Sequence, residues 1–172
     1  MEKQEFLLLI PAIIYGVAIV DLLKIFSHKK NYIEMVGWGI FVMLGVIFNW
    51  IELFNKLEFI TTGNLSFFLI IIQAILYSRV AAIITPEERD VDTKKYFLSV
   101  RIKFFWFLSI ITIYGMIMRY FVYDDQSTFW LRPLIIVFYL SAAYTNKDWL
   151  RMSILILTLT LIVVRVFTGA LG

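Results

Sequence analysis

Long apolar stretches, separated by short polar ones, run the whole length of the chain. Six stand out, at 6–26, 32–54, 64–84, 96–122, 128–144 and 149–170. Most approach or exceed the roughly 20 residues that a helix needs to cross about 30 Å of hydrocarbon. The stretches are near-continuously apolar, whereas membrane strands alternate in shorter segments, and the connections are short; both features predict helices. The expected fold is therefore all-α, a single integral membrane bundle of about six transmembrane helices over residues 1–172.

The fifth segment departs from the pattern, because Arg132 and Pro133 leave only Leu134 to Tyr144 unbroken. Two readings stand. The pair sits in the first turns of an ordinary tilted helix, or it breaks the segment into a re-entrant element of the kind that lines transporter binding sites. The second would lower the count to five and move the C-terminus to the other side.

The polar connections carry helix-start chemistry, in which a side-chain oxygen accepts from backbone N–H groups left open at a first turn. Asn31-Tyr32-Ile33-Glu34 is expected to open the second span in this way. Thr85-Pro86-Glu87-Glu88 predicts a short polar helix at the start of the loop 85–95, with Thr85 as its cap. Shifting the chain by 99 positions superposes Tyr15-Gly16 on Tyr114-Gly115 and Trp50 on Trp149, which is the pattern of an inverted repeat of two three-span halves but also one that chance gives in a chain so rich in aromatics.

Composition sharpens the membrane reading. Of 172 residues, 61% are hydrophobic and 17% aromatic, with a mean hydropathy of +0.84. A chain of this length cannot hide so much apolar surface in one water-soluble core, so a lipid bilayer is the expected partner. The N-terminus opens with Glu2, Lys3, Gln4 and Glu5 and has no cleavage signature, so the first apolar segment reads as a retained span and not a signal peptide.

The sequence has no cysteine and one histidine, His28. Disulfides, thiolate metal sites, paired-histidine ligation and Ser-His-Asp catalysis all lack the residues they require. No cofactor, no metal centre and no enzymatic activity are expected. The net charge of +3 comes from scattered basic residues with no long basic run, so no nucleic-acid partner is expected either.

Those basic residues set an orientation, because cytoplasmic connections retain Lys and Arg. Lys24, Lys29, Lys30, Arg79, Arg89, Lys94, Lys95, Arg101, Lys103, Lys147 and Arg151 fall on one side, eleven of the 16. Lys3, Lys56, Arg119, Arg132 and Arg165 fall on the other. Both termini are then expected outside, with the loop 85–95 inside.

Charged residues within spans call for a partner or a function. Asp21 and Arg79 lie at matching depth near the inner ends of the first and third spans, so an ion pair between them is expected. It would form either a packing lock or a pathway lined by Gln73, Tyr77 and Ser78, with Lys24 competing for Asp21. Toward the outer side lie Asn49, Glu52, Arg119, Arg132 and Arg165. If they converge, they suit an anionic ligand or a lipid phosphate; otherwise each arginine snorkels alone. The run Phe104-Phe105-Trp106-Phe107, with Trp38, Trp50, Trp130 and Trp149, is expected to anchor the helices at the interfaces. Asp124 and Asp125, and the acidic residues Glu87, Glu88, Asp90 and Asp92, read as solvated turns.

The first span ends in Asp21-Leu22-Leu23, the second closes on Trp50, and the third runs into Pro86-Glu87-Glu88. Tyr96-Phe97, Arg101 and Phe104-Phe105 follow. This layout, over residues 1–107, resembles an uncharacterised family of short multi-pass bacterial inner-membrane proteins. The resemblance implies location in the bacterial inner membrane and supplies no activity. Two functions compete: an ion channel or small-solute transporter, expected as a homo-oligomer because six short spans shelter little space, and a non-catalytic membrane module such as a sensor, an assembly partner or a membrane-perturbing effector.

Overall fold

Each apolar segment is a helix in the computed structural model, which describes residues 3–28, 31–55, 64–88, 90–121 and 131–167, with side chains for 8–28, 31–54, 65–88, 90–120 and 131–164. The helices are α1 (Lys3–Lys24, continued by a 3-10 turn Ile25–Ser27), α2 (Ile33–Asn55), α3 (Asn64–Ile84), α4 (Thr93–Phe121), α5 (Leu131–Tyr144) and α6 (Asp148–Phe167), and no strand occurs among the described residues. Four helices are long and apolar enough to cross a membrane, over Leu8–Ser27, Ile33–Phe54, Leu65–Ile84 and Thr93–Tyr120. The described part of the fifth is a helix of 14 residues, about 21 Å at 1.5 Å per residue. Arg132 and Pro133 are the second and third residues of that described part. The preceding residues 122–130 lie outside the described residues.

Both faces of most helices are apolar, so shape selects the inward face. In α1 the buried positions are Leu8, Pro11, Tyr15, Ala18, Leu22 and Ile25, spaced by three and four, while Ile13, Val17, Val20 and Leu23 are exposed. Small buried residues, Ala18, Ala74, Ala81, Ala142 and Ala143, let backbones approach. The central helix is α2, which packs on α1, α3, α4 and α6.

The helices alternate in direction, giving the bundle a Glu34 end and a Glu52 end. Most of α1 lies along α3, whereas α4 lies chiefly along α5 and α6 along α2 and α5. The two halves are therefore packed differently among the described residues, which favours the chance reading of the Tyr-Gly and Trp matches over a three-helix repeat.

At the Glu34 end, side chains tie the connections together. The backbone N–H of Tyr32 donates to Thr93 Oγ1 at 3.0 Å, and the Thr85 hydroxyl donates to the Asp21 carbonyl at 3.2 Å. The predicted polar helix after Thr85 does not form. Thr85 is engaged with Asp21, described residues 85–92 make only bends and turns, and the cap belongs to Asp92, whose carboxylate accepts from the N–H groups of Lys94 and Lys95 at 3.1 and 3.2 Å. Glu34 likewise does not serve as a helix-start residue for Asn31, because its carboxylate is held by Arg151.

The expected aromatic anchors divide. Trp38, Phe104 and Phe105 are fully buried, with the Trp38 ring 4.9 Å from Phe105, 6.0 Å from Phe104 and 6.1 Å from Tyr139 by centroids, all edge to face. At about 100° per residue, Phe97, Phe104, Phe105 and Leu108 share the inward face of α4, and Trp106 is turned outward. Trp106 and Trp149 are exposed, and Trp50 packs edge-on against Tyr15. Trp130 lies outside the described residues.

Candidate functional site

Asp21 and Arg79 do not meet. Lys24, one turn along the same helix, takes the Asp21 carboxylate at 2.6 Å, and Arg79 is exposed on the outer face of α3. An (i, i+3) partner on a rigid helix needs no second helix to place it, which is why the local pair forms. Gln73 and Tyr77, grouped with Asp21 in the sequence, face a different part of the molecule.

That part is a cavity of about 410 Å³ toward the Glu52 end, between α2, α3, α4, α5 and α6. Its wall includes Asn49 and Glu52 from α2, Gln73 and Tyr77 from α3, Arg119 from α4 and Arg132 from α5. The opposite wall is apolar, with Phe41, Phe48, Ile111, Met118, Ile135 and Leu161 among its residues. The volume and the mixture of a large apolar wall with a few converging polar groups are those of a small-molecule site. Arg165 belongs to the side chains not described, as do Asp124 and Asp125.

Helical spacing aims these groups inward. Gly45, Asn49 and Glu52 recur every three or four residues on one face of α2, and the Asn49 amide donates to the Gly45 carbonyl at 2.8 Å and to the Tyr77 hydroxyl at 2.7 Å. The Gln73 amide donates to the Asn49 carbonyl oxygen. Asn49 is thus fully engaged, while the Tyr77 O–H and the Gln73 carbonyl oxygen are left to face the cavity. Arg119 donates to Glu52 at 2.9 Å across α4 and α2. Two glycines make room. A Cβ at Gly45 would lie 3.1 Å from the Tyr77 ring, and one at Gly115 would lie 2.5 Å from Arg132 Nη1, so the guanidinium rests directly on the α4 backbone.

A second charged constellation, not anticipated in the sequence, closes the Glu34 end. Arg151 donates from Nε to Glu34 Oε1 at 2.6 Å and from Nη2 to Oε2 at 3.0 Å. Its remaining donors reach the Thr145 carbonyl at 3.0 Å and Asp148 Oδ1 at 2.8 Å. Both partners are enclosed, Arg151 at 0% and Glu34 at 1% exposure. The Tyr32 hydroxyl donates to Glu34 Oε2 at 2.6 Å, and Lys94 Nζ lies 3.3 Å from Asp148 Oδ2. Burial, then the neighbouring Glu34 carboxylate, push the Tyr32 hydroxyl well above the ordinary tyrosine value. For Asp148 partial burial works against ionisation, but bonds from Lys94 and Arg151 outweigh it and hold the carboxyl below its ordinary value. The sequence signal was present: Glu34 and Arg151 each lie about three residues inside an apolar segment, on the same predicted side, so matching charges by depth would have paired them.

Among the described residues no group of three or more His, Cys, Asp or Glu side chains converges on a point. The polar wall at the Glu52 end presents hydrogen-bonding groups and the Arg119–Glu52 pair to the cavity. No protein-family model, no curated protein and no solved structure matches the chain.

Proposed function

We propose that this protein is a small-solute transporter whose substrate binds in the cavity beside α2. The observation that carries the reading is the asymmetry of the bundle. Polar side chains from four helices converge on an open volume of about 410 Å³ toward the Glu52 end, while the Glu34 end is closed by packed aromatics and the Arg151–Glu34 pair. Buried polar groups around an open space within a membrane are expensive unless they bind something. A volume closed at one end favours a carrier over an open pore. In this reading the Glu34 end faces the cytoplasm, the cavity faces outward, both termini are outside, and a bacterial inner membrane is the setting.

Flux of ions and small solutes into liposomes carrying the purified protein tests the reading. Uptake driven by a solute gradient, and lost in Asn49→Leu, is the expected result. Absence of flux under every gradient leaves the non-catalytic module, whose supporting observation is the interlocked Glu34 end.

A further inference from the structure

The neutral polar groups of the cavity wall are bonded to one another in an order that the backbone fixes. The Gly45 carbonyl can only accept, so the Asn49 side chain turns its NH2 toward it, at 2.8 Å, and the second hydrogen of that NH2 goes to the Tyr77 oxygen at 2.7 Å. The Asn49 oxygen then faces Gln73, whose NH2 donates to it. Two groups are left over. The Tyr77 hydrogen cannot point back at a donor, and the Gln73 NH2 is turned to Asn49, so the Tyr77 O–H lacks an acceptor and the Gln73 carbonyl oxygen lacks a donor among the described residues. Both side chains line the cavity, and each is only 9% exposed.

We propose that these two groups select an uncharged carboxamide carried on an apolar body. The proposal rests on the transporter reading, since it names the solute that the cavity takes. A carboxamide carries the complementary pair: its C=O accepts from the Tyr77 O–H, and its N–H donates to the Gln73 carbonyl oxygen. The spacing has a precedent inside the protein. Gln73 and Tyr77 lie four residues apart, on one face of α3, and on their α2 side they already hold one amide between them, that of Asn49, with donor and acceptor reversed.

Burial makes the selection strict, because a solute that satisfies one group while displacing water from the other leaves a bond unmade. An ionised carboxylate would turn an oxygen toward the Gln73 carbonyl oxygen. An ester can accept from Tyr77 but has no hydrogen for Gln73. The ionised residues of the wall are not called on: Arg119 is held by Glu52 at 2.9 Å, and Arg132 has contacts of its own. Phe41, Phe48, Ile111 and Leu161 form the apolar wall that suits a hydrocarbon or aromatic body.

The test is calorimetric binding to the purified full chain, at about pH 7.5, of benzamide and hexanamide, of their methyl esters, and of benzoate and hexanoate, which are ionised there. Expected is binding of the amides, with esters and carboxylates each weaker by about tenfold. Gln73→Met is expected to bring the amides down to the level of the esters and to leave the esters unchanged, whereas Tyr77→Phe weakens amides and esters alike. A merely structural role for Gln73 would lower both classes together and would sink the assignment. Should the variants fail to fold, the ranking of the three classes on wild type decides alone. Esters binding as tightly as amides, or carboxylates binding as tightly, overturns the carboxamide while leaving a transporter of other solutes standing. Amide binding without uptake into liposomes keeps the carboxamide and removes the transporter. Binding of none of the three classes removes both the carboxamide and the cavity as a solute site.

Discussion

The Arg151 guanidinium meets the Glu34 carboxylate through two hydrogen bonds, of 2.6 and 3.0 Å, where neither side chain is exposed. Such a pair is weak evidence of net stability, because desolvation offsets much of the attraction, but removing one member strands the other. Arg151→Gln or Glu34→Leu alone is expected to destabilise by about 3–5 kcal/mol. The double change Glu34→Met with Arg151→Leu is expected to recover most of that loss. Thermal unfolding in detergent measures both, and simple additivity of the two single effects would show that the pair does not act as a unit.

Asp148 supplies a pH dependence whose sign follows from its neighbours. Its carboxyl is held below the ordinary value of 3.8 in the folded chain, so its contribution is full above that value and is lost as pH falls through the folded value. Wild type is expected to be more stable than Asp148→Asn at neutral pH. The two unfolding midpoints should converge in strong acid, and a constant gap would place the effect elsewhere.

Tyr32 acts at the opposite extreme. Its hydroxyl loses a proton less readily in the folded chain than at the ordinary value of 10.0, so its contribution is complete below that pH and is lost as pH rises toward the folded value. Stability of wild type relative to Tyr32→Phe is expected to decline above about pH 10. Equal alkaline slopes in the two proteins would contradict this.

Gly115→Ala separates cavity chemistry from folding. The added Cβ would sit 2.5 Å from Arg132 Nη1, the far end of a flexible side chain, so the guanidinium shifts and the bundle need not. Unfolding is expected to change by less than about 1 kcal/mol, while solute binding or uptake falls several-fold. A large stability loss with normal binding would mean that Gly115 serves packing alone.

The tryptophans offer a contrast between two positions that look alike in the sequence. Trp38→Ala removes the centre of the aromatic core and is expected to destabilise by about 3–5 kcal/mol. Trp149→Ala, at an exposed ring, is expected to fall within about 0.5 kcal/mol of wild type. Comparable losses in the two variants would argue that the exposed ring has a packing partner.

The helices were legible because length and continuous apolarity leave few alternatives, and the six segments match the observed helices within a few residues. The inward faces were not. In α4, Phe104 and Trp106 are equally apolar, yet one is core and the other points outward, and only the packing partners on α2 and α5 decide between them. Among the charges, the Glu52-end set of Asn49, Glu52, Arg119 and Arg132 was visible as a group of polar residues at similar depth. The Asp21–Arg79 pairing misled because Lys24 satisfies Asp21 within a single helix. Glu34 and Arg151 were passed over because Glu34 also suits a helix start and Arg151 the basic count of a cytoplasmic connection, and 117 residues separate them.

That separation has a consequence in time. During synthesis Glu34 is made with the second helix, long before the sixth, and until Arg151 emerges its carboxylate has the Tyr32 hydroxyl beside it but no guanidinium. The Glu34 end therefore cannot lock until the last helix arrives. The pair is thus a late fastening in chain order: a chain stopped before residue 151 lacks the guanidinium that ties the foot of its central helix to the last one.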